Sequence, residues 1–176
     1  GTGDYLRVQG GVDLVNSGAL TILYWINNQA DNNNDYIAFD GKTRVRLPDA
    51  NRVSWSRGGT ILTSSSQAFP QDVWTQLVLT SDAVSAGVIY INGVVKASGA
   101  CGTPAAATST MRYGGNDVGG ANPDLLISQI MVWNRQLSAG EVLSLYNNPY
   151  QMFDIPPRLA SFGVADEPAG DGQPYF

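Results

Sequence analysis

The residues of this chain best suited to chemistry are oxygen donors. Asp31-Asn32-Asn33-Asn34-Asp35 packs two carboxylates and three amides into five consecutive positions, and a hard cation such as calcium wants about six to eight oxygens around it. A second segment, Asn116-Asp117 followed by Gly119-Gly120-Ala121-Asn122-Pro123-Asp124, has the same character. Asp31, Asn33, Asp35, Asp117 and Asp124 are therefore the candidate calcium ligands. Asn, Asp and Gly also dominate ordinary turns, so the competing use of both segments is simply to reverse the chain. No EF-hand spacing separates the two uses.

A second group of residues suits contact with sugars, which need aromatic platforms beside planar hydrogen-bonding groups. Trp55, Tyr36 and Tyr113 supply rings, and Asn116 and Arg57 supply an amide and a guanidinium. Arg44, Arg46 and Arg52 lie nearby in sequence, and Arg binds carboxylate or sulfate in a bidentate fork that Lys cannot offer. Trp55 sits in an alternating segment between Arg52 and Arg57, which makes it the aromatic to test first. The other three indoles, Trp25, Trp74 and Trp133, lie in strongly apolar runs where burial is the usual fate of a large ring. The arginines have their own structural use, as a solvated strand face that protects a sheet edge.

What is missing narrows the chemistry further. The 176 residues include no His, one Cys, thirteen Asp and only two Glu. Without imidazole there is no Ser-His-Asp or Cys-His relay and no His-containing metal site. The single thiol, Cys101, excludes an intrachain disulfide, lies in a loop of small residues and has no basic sequence neighbour to activate it. Glu141 and Glu167 are too far apart in sequence to suggest a glycosidase pair,. A net charge of -5 argues against nucleic acid and against an anionic membrane surface. No apolar run approaches the length of a membrane span. Gly1-Thr2-Gly3-Asp4 lacks the basic and apolar regions of a secretory leader, although one removed earlier would leave no trace.

The elements that must position these residues are mostly strands. Period-two or continuous apolar runs occur at Tyr5 to Val8, Thr21 to Ile26, Tyr36 to Phe39, Thr43 to Leu47, Arg52 to Ser56, Val73 to Thr80, Val88 to Ile91, Val94 to Ala97, Met111 to Tyr113 and Leu125 to Trp133, predicting about ten strands,. Ile91-Asn92-Gly93-Val94 carries the strongest hairpin signal, because Asn and Gly both accept positive φ. Asp40-Gly41 and Arg57-Gly58-Gly59 mark two further turns. Many short strands with turn residues between them indicate a sandwich or barrel. One helix is predicted, opened by the capping box Ser138-x-x-Glu141, carrying Val142, Leu145 and Tyr146 on one face and stopped at Asn147-Asn148-Pro149. It is expected to pack on the sandwich edge. Beyond Phe153 the Pro- and Gly-rich composition cannot form a core of its own.

Taken in order, these segments resemble the concanavalin A-like, laminin G-like (pentraxin-type) jelly-roll family. Leu20-Thr21-Ile22-Leu23-Tyr24-Trp25-Ile26 is similar to its LTISFWVK strand. Asp72 to Thr80 is similar to its WHHVALT strand, with Thr75 and Gln76 in place of the histidines. Ile89-Tyr90-Ile91-Asn92-Gly93 is similar to LYVNG, and Ile127 to Val142 to IDEVRIWNRALSAEEI. The resemblance implies two antiparallel sheets of six or seven strands, a binding role, and often a calcium ion on a loop rim. The family's acidic pair is replaced here by Ser128-Gln129, so no metal contact carries over to those positions. The strand Glu-x-Asp-x-x-Glu of the related glucanases is also absent, which argues against catalysis. The ending Leu145 to Phe153 is similar to the LYxNPWxLF ending of modules from bacteria and tailed phages.

The expectation is an all-β, two-sheet antiparallel jelly-roll sandwich over residues 1–150 with one short C-terminal helix, followed by an extended arm over 151–176. The expected function is non-enzymatic carbohydrate binding or adhesion on an extracellular or virion surface, with a cell-surface polysaccharide as ligand. The alternative is a purely structural phage decoration or fibre protein held by other subunits. In that case Phe162, Tyr175 and Phe176 of the arm would dock on a partner, and a homo-oligomer is compatible with such an arm.

Overall fold

The computed structural model describes residues 6–8, 18–29, 35–39, 43–49, 51–65, 69–103, 111–114 and 123–151. Eleven strands are present among them: β1 (Leu6–Val8), β2 (Leu20–Asn28), β3 (Asp35–Phe39), β4 (Thr43–Asp49), β5 (Arg52–Arg57), β6 (Ile61–Thr63), β7 (Trp74–Ser81), β8 (Ala86–Ile91), β9 (Val94–Ala100), β10 (Met111–Tyr113) and β11 (Leu125–Trp133). They form two antiparallel sheets, one of six strands in the order β1-β10-β3-β4-β5-β6 and one of five in the order β11-β2-β7-β8-β9. The family resemblance had implied six or seven per sheet. The strand missing from the sequence reading is β6, three residues paired to β5 beyond the Gly58-Gly59 turn.

The core lies between the sheets because alternation along each strand sends one side chain in two inward. From β2 these are Leu20, Ile22, Tyr24 and Ile26, which meet Val45, Leu47, Val53, Leu77, Leu79 and Ile89. The intervening Leu23 and Trp25 are apolar as well, and they meet the one helix among the described residues. This helix, α1 (Ala139–Asn147), sets Val142 and Leu145 on Leu23, Val78 and Tyr90, making a second, smaller core on the outer face of the five-stranded sheet. The predicted location on the sandwich edge is therefore corrected. β2 carries two apolar faces because one faces the opposite sheet and the other faces a helix.

Local chemistry fixes that helix. The side chain of Ser138 accepts from the Glu141 backbone N–H at 3.3 Å, and Glu141 Oε2 accepts from the Ser138 N–H at 2.8 Å, which completes the capping box. Upstream, Thr21 Oγ1 donates to the Arg135 carbonyl at 2.7 Å and accepts from the Leu137 N–H at 2.9 Å, tying the approach to the helix onto β2. At the far side the Asn92-Gly93 turn has φ of 51° and 76°, as the hairpin signal required,. A Cβ at Gly93 would stand 2.9 Å from Leu143 Cδ1, so glycine also lets the helix approach.

Two outcomes follow from this cap. Ser138→Ala is expected to lower stability by about 1 kcal/mol, checked by urea denaturation. Glu141 has its pKa lowered to about 2, chiefly by the Arg135 guanidinium and then by the Ser138 N–H and hydroxyl. A lowered folded pKa means the contribution is complete above the unfolded value near 4.5 and fades as pH falls toward about 2,. Acid titration of tryptophan fluorescence should show the helix loosening across that window, and Glu141→Gln should remove that part of the change.

Candidate functional site

Trp55 was the sequence's first choice as an exposed sugar platform, and the structure corrects it. Its relative exposure is 0%, within the inter-sheet core, beneath Gly87, whose added Cβ would lie 3.1 Å from the indole. Arg57 is 1% exposed and donates from Nη1 to the Gly18 carbonyl at 2.8 Å and to Ser81 Oγ at 2.5 Å. Tyr113 is also buried, its ring 6.2 Å from that of Tyr24. All three lie at inward positions of their strands and cannot form a surface platform. Arg52 is engaged by Asp49 at 2.5 Å. Cys101 is buried, and loss of solvent raises its thiol pKa.

The remaining choices fall mostly outside the described residues. These are Asp31, Asn33, Asn116, Asp117, Phe162, Tyr175 and Phe176, together with the side chains of Tyr36 and Asp35. Asp124 is described and exposed, and its carbonyl accepts from the Gln29 N–H at 2.9 Å. That bond joins the start of one oxygen-rich segment to the end of the other. The Gly114 N–H to Ile37 carbonyl bond, 2.8 Å, joins their other flanks. The described flanks of the two segments are thus hydrogen-bonded to each other on both sides. Among the described residues no three Asp, Glu, His or Cys side chains gather as a metal site.

The indoles assigned to the core by sequence occupy the outer face of the five-stranded sheet. Trp25, Trp74 and Trp133 share the outward parity of Leu23, and Trp74 is 44% exposed. Trp25, Trp74, Ser128, Gln129, Pro149 and Tyr150 line a cleft of about 390 Å³. Trp25 forms its inner wall and stacks on Tyr146 at 6.1 Å with the rings 13° from parallel. Tyr150, 66% exposed, stands on the turn that follows α1.

A β-bulge supplies the polar side of this cleft. In the β11–β2 ladder Ile127 opposes Ile26 and Gln129 opposes Trp25, leaving Ser128 as the extra residue. Without the bulge, strict alternation would turn one of Ser128 and Gln129 into the core. With it, both consecutive side chains line the cleft, while Leu125 before it and Ile130 and Val132 after it pack against the core,. These are the two positions where the resembling family carries its acidic pair, so the described residues of the cleft floor are uncharged. A sequence signal was present in that replacement, but its location beside Trp25 emerges only from the register.

Next to Trp25 on β7 lies Gln76. It is fully buried, and neither its Oε1 nor its Nε2 has a partner, as is also true of Trp25 Nε1. Burying an unpaired amide costs about 1–3 kcal/mol. Gln76→Met, of similar shape, is expected to raise stability by about 1 kcal/mol in urea denaturation. A loss of stability instead would mean that the amide is satisfied in solution.

A family model described as the concanavalin A-like lectin/glucanases superfamily matches residues 1–143. No curated protein matches the chain. Solved structures that resemble it include the receptor-binding domain of botulinum neurotoxin mosaic serotype C/D, determined with a tetraethylene glycol molecule on its Hcn sub-domain, at TM-score 0.66 and 14% identity over 82% of this chain and 40% of that one. The binding domain of serotype G matches at TM-score 0.60 and 17% identity over 81% and 44%, and that of serotype D at 0.62 and 14% over 81% and 40%. This chain thus spans less than half of each.

Proposed function

Because the chain belongs to the concanavalin A-like lectin/glucanases superfamily, we propose that it is a non-enzymatic carbohydrate-binding module whose site is the aromatic cleft on the outer face of the five-stranded sheet. The observation that carries this reading is the pairing of exposed rings, Trp74 and Tyr150, with the hydroxyl of Ser128 and the amide of Gln129 in one cleft whose described lining is uncharged. The flat C–H face of a sugar stacks on an aromatic ring, and its equatorial hydroxyls bond to planar amides; a mostly apolar pocket with a few directed polar groups suits that ligand. Botulinum neurotoxin domains of similar fold are named for receptor binding, which agrees with a binding role.

Turnover is not part of the proposal. Glycoside hydrolysis uses two carboxyl groups flanking the scissile bond, and no carboxylate lines this cleft among the described residues. Calcium remains a proposed ligand of the oxygen-rich segments, where carboxylate and amide oxygens suit a hard cation. Loading with calcium is expected to raise the melting temperature, and chelation to reverse the rise.

A glycan array probed with the full chain, with and without calcium, tests the proposal; silence in both arms overturns it. Val73 and Leu126 are large exposed apolar side chains close to the cleft, and they favour the second reading, a subunit held by protein contacts on a cell or virion surface. Retention of assembly after truncation at Phe153 would remove the docking arm over 151–176 from that reading.

A further inference from the structure

The turn that follows α1 separates two clefts. Pro149 and Tyr150 face the one already described, while Gln151 lines a second of about 210 Å³ with Trp133, Arg135, Leu137, Glu141, Ser144 and Leu145. Ser144 Oγ donates to Gln151 Oε1 at 3.2 Å, pinning the turn to the helix. Both clefts draw on the outward side chains of β11. Gln129 lines the first and Trp133 the second, four residues or about 13 Å apart at strand rise, with Met131 between them packed toward the helix.

The second cleft repeats the first in its materials. Trp133, Leu137 and Leu145 supply apolar surface, and a hydroxyl, an amide and one ion pair supply hydrogen-bonding groups. The charged residues among its described lining, Arg135 and Glu141, lie 2.6 Å apart and offset each other. Among the described residues, neither cleft therefore presents an uncompensated charge with which to select an acidic ligand.

We propose that the ligand is a linear, neutral glycan bound along its length, with one group of sugar rings in each cleft and the Asn148–Gln151 turn between them. This rests on the carbohydrate reading above and adds to it the ligand's charge, its polymeric form and a second subsite. A chain held at two weak subsites gains effective concentration for the second contact, so affinity depends on length.

The test is titration calorimetry of the full chain with neutral gluco-, manno- and galacto-oligosaccharides from disaccharide to octasaccharide. Affinity is expected to rise at least about tenfold once a fragment spans both clefts, and then to level off. Ser144→Trp, at an exposed helix position, fills the second cleft without touching the core. It should abolish the length gain while the shortest fragment still binds the first cleft, weakened at most by loss of the Ser144–Gln151 bond that holds the turn, and an unchanged thermal melt reports a folded protein. Length-independent affinity, or a length gain that survives in Ser144→Trp, would overturn the two-cleft inference alone. Preference for carboxylated or sulfated fragments would overturn the neutral assignment. No binding by the unaltered chain to any glycan would overturn the carbohydrate reading and this inference together.

Discussion

Trp55→Ala is expected to destabilise the fold by about 3–5 kcal/mol, the range for removing a large ring from a packed core. The indole is fully buried, sits at the Val45 register position between β4 and β5, and fills the space against Gly87 of β8 on the opposite sheet. The two sheets cannot close around the void without moving the Gly87 and Cys101 backbones that approach it. Trp55→Phe should cost less, because part of the volume remains. Denaturant melts measure both, and the same Trp55→Ala protein, held below its melting temperature, should bind glycan unchanged. A surface role for Trp55 would produce the opposite pattern, with binding lost and stability intact.

Trp74→Ala is expected to reverse that pattern. The ring is 44% exposed at the start of β7, so truncation leaves no cavity in the inter-sheet core, and stability should change by less than about 1 kcal/mol. Glycan binding should weaken by about 2 kcal/mol or more, roughly thirtyfold, because aromatic anchors in the centre of a binding patch dominate its energetics. Tyr150→Ala, 66% exposed on the opposite wall, should weaken binding in the same direction. The two losses should not simply add, since both rings line one cleft,. Unchanged affinity in both variants would move the site elsewhere on the molecule.

These two tryptophans show how far the sequence could be read. Each lies in a strand that periodicity located correctly, and the turns at Asn92-Gly93 and Gly58-Gly59, the Ser138–Glu141 cap and the helix were all evident from residue type and spacing. Such features are local. A capping box spans four residues and a tight turn needs two, so the chemistry that makes them is contained in the segment that shows them.

The facing of each strand is not local. Alternation says that Ser54 and Trp55 point opposite ways, but not which of them meets the other sheet. In β5 the arginines at both ends suggested an exposed strand, yet Arg57 is drawn inside by the Gly18 carbonyl and Ser81, and Trp55 goes with it because the two share a face. In β2 both faces are apolar, and only the docking of α1 distinguishes the face that holds Leu23 and Trp25 from the one that holds Ile22 and Tyr24.

By itself, then, the sequence determined the all-β sandwich, the positions of nearly all strands and the capped helix. Tertiary structure decided which aromatics are buried and which reach the surface. It did so through one bulged residue, Ser128, and through a helix laid on one sheet: the bulge shifts parity by one position, and the helix covers an apolar face that would otherwise meet water. Both effects depend on pairing between residues about a hundred positions apart, as between Trp25 and Gln129, and no local pattern encodes such a pairing.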